Sequence, residues 1–201
     1  MSDHVLTATQ CRMARAALRW ELSDLAERAG VSANTIYDFE NGRDMPIPAK
    51  LVALRQAFEA NFKANRVGGV VGFTKDGGFG WQDRCESCRD HKLLTIMQCK
   101  IARAALGWSM KDLAKQASRV LKSAEKTIDG FENNQSMPRL ATQKALLEIF
   151  KAHGVRFTEE EPASMDSVIA TFWIAMVTDA DEDGKPLTKG GVGVREKRAA
   201  E

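Results

Sequence analysis

Residues 25–46 read LAERAGVSANTIYDFENGRDMP. The order of residue types is that of two short helices and the turn between them. Leu25, Ala26 and Ala29 form an apolar stripe at helical spacing, and the small alanines let another helix approach closely. Gly30 then ends that helix, Val31 supplies an apolar plug, and Ser32 is a new N-cap. The next helix is predicted over 33–40 and is stopped by Asn41-Gly42. A further helix starts near Pro48 and carries Leu51, Leu54 and Phe58. Two short helices joined by a three- to four-residue turn containing glycine make a helix-turn-helix.

Working outward, the chain repeats itself. Residues 6–29 return as 94–117 with 14 of 24 positions identical, and residues 35–60 return as 127–152 with 12 of 26 identical. The offset is 88 residues before the turn and 92 after it, so the second copy carries four extra residues there. In that copy Ser118–Ser123 (SRVLKS) stands in place of Gly30-Val31. Each copy opens on a capping box, Thr7-x-x-Gln10 and Thr95-x-x-Gln98, with Leu6 and Leu94 placed as hydrophobic staples. First helices reaching about Leu18 and Leu106 follow, with Cys11, Ala14 and Leu18 (Cys99, Ala102 and Leu106) on one face. The second helix starts from Ser109 in copy two and from Glu21, a weaker cap, in copy one. The last helix of copy two is expected to carry Ala141, Ala145, Leu146, Ile149 and Phe150.

The Leu-Ala of the second helix, the Gly-Val-Ser turn, Thr-Ile, and Phe-Glu-Asn-Gly followed by Pro resemble the lambda-repressor-like helix-turn-helix of the Xre family of bacterial and phage regulators. The opening QCRMARAALRW resembles a single-domain subgroup of that family. The resemblance implies a mainly α fold of two lambda-repressor-like domains, each followed by a small β-hairpin. It also implies that the third helix lies in the DNA major groove. Carried over by position, Ala33, Asn34, Tyr37 and Asp38 would face bases, while Ser32, Thr35, Asn41 and Arg43 would meet phosphates. In copy two Glu125, Lys126, Asp129 and Gly130 would face bases, with Thr127, Asn133 and Gln135 near the backbone. Asn suits adenine, Lys suits guanine, and the carboxylates suit cytosine. The sets differ, so the expected target is asymmetric, or one copy alone binds specifically. Ile36, Phe39, Ile128 and Phe131 read as core. Glu40 and Glu132 read as partners of an arginine or as caps.

The expected organisation is a first domain over 1–66, a hairpin and linker over 67–91, a second domain over 92–157, and an acidic insertion with tail over 158–201. Their formal charges are +1, −1, +7 and −5. A +7 unit suits a polyanion. The first hairpin is expected around Lys75–Gly78. Its counterpart is expected from Val155-Arg156-Phe157 and Gly191–Arg195. The apolar run Val168–Val177 is read as a strand added to that hairpin or as a dimer contact, so pairing of hairpin edges would give a homodimer. That run is too short to span a bilayer, and MSDHVLTATQ holds no secretion signal, so a cytoplasmic protein is expected.

Cys11 and Cys99 read as small core residues, and His4 and His153 as surface residues. Cys85-x2-Cys88-x2-His91 has a spacing that could begin a zinc site, but a fourth ligand is not evident, and it reads as linker; no metal or cofactor is expected. No catalytic constellation is visible, which argues against an enzyme. The leading expectation is a sequence-specific double-stranded DNA-binding transcriptional regulator, such as a repressor. The alternative is a protein-interaction adaptor, antitoxin-like or RNA polymerase-binding, holding a protein partner through one copy or the acidic tail.

Overall fold

A computed structural model describes residues 5–64, 69–73, 78–84, 94–160 and 169–176 of the 201-residue chain. It is mainly helical. The first repeat forms α1 (Ala8–Leu18), α2 (Leu22–Ala29), α3 (Ala33–Glu40) and α4 (Pro48–Ala64), followed by strands β1 (Gly69–Phe73) and β2 (Phe79–Arg84). The second forms α5 (Ile96–Ala105), α6 (Met110–Ala117), α7 (Ala124–Glu132) and α8 (Leu140–Ala152), followed by β3 (Val155–Glu160) and β4 (Ile169–Met176).

The helix starts follow from their caps. Thr7 accepts the Gln10 amide at 3.1 Å while the Gln10 side chain accepts the Thr7 amide at 3.0 Å. Thr95 and Gln98 repeat this at 3.1 and 2.8 Å. Each box satisfies two amides that a helix N-terminus otherwise leaves bare. Leu6 and Leu94 are buried beside them. Ser109 accepts the Asp112 amide at 3.2 Å while the Asp112 carboxylate accepts the Ser109 amide at 2.8 Å; at Glu21 the Asp24 carboxylate likewise accepts the cap amide at 2.7 Å.

The repeats share one core plan. Leu25, Ile36, Phe39, Leu54 and Phe58 are fully buried or nearly so, as are Leu113, Ile128, Phe131, Leu146 and Phe150. Trp20 stacks on Phe58 at 5.6 Å between centroids, and Trp108 on Phe150 at 6.5 Å. Phe58 and Phe150 then meet Phe73 and Phe157 edge-on, tying each helical unit to its own first strand. Burying each phenylalanine contributes about 1.5–3 kcal/mol. Ala141 departs from the expected stripe: it is exposed, and Gln143 takes the buried place by donating to the Pro138 carbonyl at 2.9 Å.

The strands form one antiparallel sheet in the order β1-β2-β4-β3. β2 pairs with β4 from Phe79 opposite Ile174 to Arg84 opposite Ile169. β3 pairs with the other edge of β4, from Val155 opposite Met176 to Glu160 opposite Thr171. The apolar run is thus a strand beside Val155–Phe157, one of the two readings open to it. The expected counterpart Gly191–Arg195 lies outside the described residues. The other reading is corrected: residues 169–176 have both edges occupied within the chain, so that strand has no edge left for a second copy. Its apolar, β-branched and aromatic composition is that of a strand flanked on both sides. β3 also runs to Glu160, across the expected boundary at 157/158.

The repeats touch a second time where α1 packs on α5. Arg12 is the clasp. Its guanidinium donates to the Ala104 and Ala105 carbonyls at 2.9 and 3.0 Å, to Thr9 at 3.2 Å, and to the carbonyl of Glu40. It thereby engages the carbonyls that end α5, sharing that of Ala104 with the Gly107 amide 3.0 Å away. Among the described residues, no helix is long and apolar enough to cross a membrane.

Candidate nucleic-acid interface

α3 is set by its cap. Ser32 accepts the Thr35 amide at 3.2 Å and the two hydroxyls lie 2.8 Å apart, so both candidate phosphate-contacting groups sit at the first turn of the helix. Ile36, Phe39 and Glu40 turn inward, leaving Asn34 and Tyr37 exposed and Ala33 and Asp38 half-exposed on the other side. Arg43 lies 3.8 Å from the Asp38 carboxylate and 4.9 Å over the Tyr37 ring, which offsets the negative charge on this face. The Asn41 amide donates to the Tyr37 carbonyl at 2.7 Å.

α7 starts differently. Ser123 holds the left-handed conformation (φ 58°) and makes no side-chain cap; it instead offers its carbonyl to the Thr127 hydroxyl at 3.1 Å. Glu125 and Lys126 are exposed, Asp129 is half-exposed and accepts from Asn133 at 2.9 Å, and Gln135 is exposed beyond the helix. Gly130 does not face outward. It is buried, and a Cβ there would stand 2.6 Å from the Ser136 hydroxyl. The loop after α7 folds over it, with the Gln135 and Ser136 amides both donating to its carbonyl. Gly130 is therefore removed from the base-facing set.

Glu40 and Glu132 pair with arginines. Arg15 binds Glu40 through two bonds of 3.0 and 2.9 Å, and Arg103 binds Glu132 at 2.8 and 2.7 Å. The remaining nitrogens hold the Trp20 and Trp108 carbonyls at 2.9 and 2.8 Å. Burial works against both guanidinium groups, but their hydrogen bonds and attraction to the glutamates outweigh it and hold their pKa values above the ordinary arginine value. For Arg12 burial prevails over the attraction of Glu40, and its pKa is lowered. Cys11 and Cys99 are fully buried, and burial, reinforced by the adjacent glutamate, raises both thiols well above their ordinary value. They are core residues in the thiol form, as the helical pattern indicated.

Between the repeats lies a cleft of about 570 Å³ that helical periodicity does not indicate. Arg19, Leu22, Tyr37 and Asn41 line it from one repeat, and Lys100, Met110 and Asn133 from the other. Three candidate DNA-contacting residues therefore converge on a shared opening. Arg19 and Lys100 make no ion pair with any described residue. Arg19 also holds a left-handed conformation (φ 55°), the role Gly107 (φ 67°) plays in the second repeat. That conformation strains an arginine and leaves a glycine unstrained. The signal was available: a cation stands at a position where the twin repeat has glycine. Cys85, Cys88, His91 and His4 lie outside the described residues. Among those described, no group of three or more His, Cys, Asp or Glu side chains is placed to hold a metal ion.

No curated protein and no solved structure matches this chain. Residues 8–75, which span α1 to α4 and the first strand, match the family model described as a helix-turn-helix domain.

Proposed function

We propose that this protein is a cytoplasmic, sequence-specific, double-stranded DNA-binding transcriptional regulator of the lambda-repressor-like Xre type. Each repeat supplies one helix-turn-helix domain, and the chain acts by binding rather than by catalysis. The observation that carries this reading is the division of α3 within the segment similar to a helix-turn-helix domain. Its inward side is core, while its outward side presents Asn34 in the first turn and Tyr37 one turn further on, both exposed. In the major groove Asn34 pairs with an adenine edge, and Ser32 and Thr35 meet phosphates. The second repeat supplies most of the positive charge, with Lys126 exposed on α7. Arg19 and Lys100 reach the backbone from the cleft.

Gel-shift titration of the full chain on duplexes selected from a random pool tests this. The expected result is preference for an enriched sequence over random duplex, with affinity falling as salt rises. Binding that ignores sequence, or no binding at moderate salt, overturns it in favour of the protein-interaction adaptor.

A further inference from the structure

The strand order β1-β2-β4-β3 reads the same when the repeats are exchanged, because β1 corresponds to β3 and β2 to β4. The central pair β2·β4 is antiparallel, and α1 packs on its own counterpart α5. The cleft repeats the pattern, lined by Arg15 with Arg103, Trp20 with Trp108 and Glu40 with Glu132. Like surface meeting like is the mark of an approximate two-fold axis; a head-to-tail arrangement would join unlike surfaces. The two repeats are therefore inverted relative to one another, and so are α3 and α7.

From this we infer that the chain is a dimer in a single polypeptide, whose DNA target is an inverted pair of unlike half-sites bound by one chain. The inference rests on the DNA-binding reading. Duplex DNA has two-fold axes across its own length, so a protein with a two-fold places its reading helices on half-sites of opposite orientation. A true dimer would read two identical half-sites. Here Ala33 is answered by Glu125, Asn34 by Lys126, and Tyr37 by Asp129, so the halves must differ in sequence while keeping inverted geometry. The Arg12 clasp and the continuous sheet hold the repeats at one separation, so the spacing between half-sites is fixed.

The test uses the full chain on a randomised duplex pool, with stoichiometry by native mass spectrometry. The expected outcome is one chain per duplex and two unlike motifs at a single spacing. Inserting about five base pairs, half a helical turn, between them should cost about 100-fold in affinity, equivalent to about one or two mismatched base pairs. Orientation is read by making the halves alike: a chain with Glu125→Ala, Lys126→Asn and Asp129→Tyr should select an inverted repeat. Asn34→Ala and Lys126→Ala, both at exposed positions, should each change preference in one half alone. A direct repeat, tolerance of any spacing, or two chains per site overturns this inference and leaves the DNA-binding reading standing. Failure to bind any duplex overturns both.

Discussion

The turn between α2 and α3 and the turn between α6 and α7 solve one packing problem in two ways. In the first repeat Gly30 takes φ +64°, Val31 is buried as a plug, and Ser32 caps the next helix. In the second, Ser118 continues in helical conformation, Leu121 packs partly against the core, and Ser123 enters α7 left-handed and uncapped. Ile36 and Phe39 nevertheless reach the same burial as Ile128 and Phe131. Four extra residues in a surface turn cost little closure entropy, whereas a displaced core residue would cost several kcal/mol. The lesson is that the scaffold was held by its core and its arginine–glutamate pairs. The turns, the entries to α3 and α7, and the outward side chains differ, while the capping boxes of α1 and α5 are kept.

The sharpest way to break this comparison is at the shared ion pair. Arg15→Ala and Arg103→Ala each leave a buried glutamate without its partner, and each should lose about 3–5 kcal/mol in urea unfolding. The Arg103 change should be the worse, since the Glu132 side chain is 2% exposed against 6% for Glu40. A loss below 1 kcal/mol in either repeat would mean the pair is not structural there. Next come the cap positions. Ser32→Ala should cost about 1 kcal/mol by removing a cap, while Ser123→Gly should gain up to about 1 kcal/mol by relieving a left-handed serine. Equal signs for the two would contradict the different entries to α3 and α7.

Arg19→Gly separates stability from function. It should stabilise by about 1 kcal/mol, yet weaken DNA binding across all sequences and reduce the salt slope by about 1. Unchanged salt dependence would remove Arg19 from the interface. Gly130→Ala should gain about 0.5–1 kcal/mol of helix preference once the exposed Ser136 hydroxyl rotates away. A loss would show that the loop over Gly130 is rigid. The smallest effect is pH-dependent. Hydrogen bonds from the Ser109 hydroxyl and amide hold the Asp112 carboxyl below its ordinary value. Its contribution is complete above the unfolded-state aspartate pKa and is lost as pH falls through the lower folded value. Asp112→Asn should flatten that part of the acid-unfolding curve; an unchanged curve would rule the box out as a contributor.

Much of each repeat was legible because its signals are local. Thr7 with Gln10, Gly30, and the spacing of Leu51, Leu54 and Phe58 each state a cap, a stop or a buried face within a few residues. Of the two roles open to Glu40 and Glu132, cap or partner of an arginine, the second is the one formed. What joins the repeats was not legible. Helical periodicity shows that α1 has a buried face but not that α5 covers part of the rest, so Arg12 gave no hint of spanning the two. Periodicity likewise marks 169–176 as an apolar strand without naming β2 and β3 as its neighbours. Gly130 was misplaced because position alone transfers a face between repeats, while the Ser136 loop that covers it lies beyond the compared helix.

The union of β2 with β4 also sets an order of events during synthesis. Phe79 finds Ile174 roughly ninety residues later in the chain. The first four helices leave the ribosome with their core residues complete and can collapse at once through local contacts. β2 must wait with an open edge until the second repeat has been made. During that interval the β4 of another chain offers the same hydrogen bonds as the chain's own, and at high expression the two compete. Arg12, which seats only when α5 is present, favours the in-chain partner by holding it close. The clasp that fixes the finished molecule thus also weighs against strand exchange between chains, because it joins the two repeats of one chain.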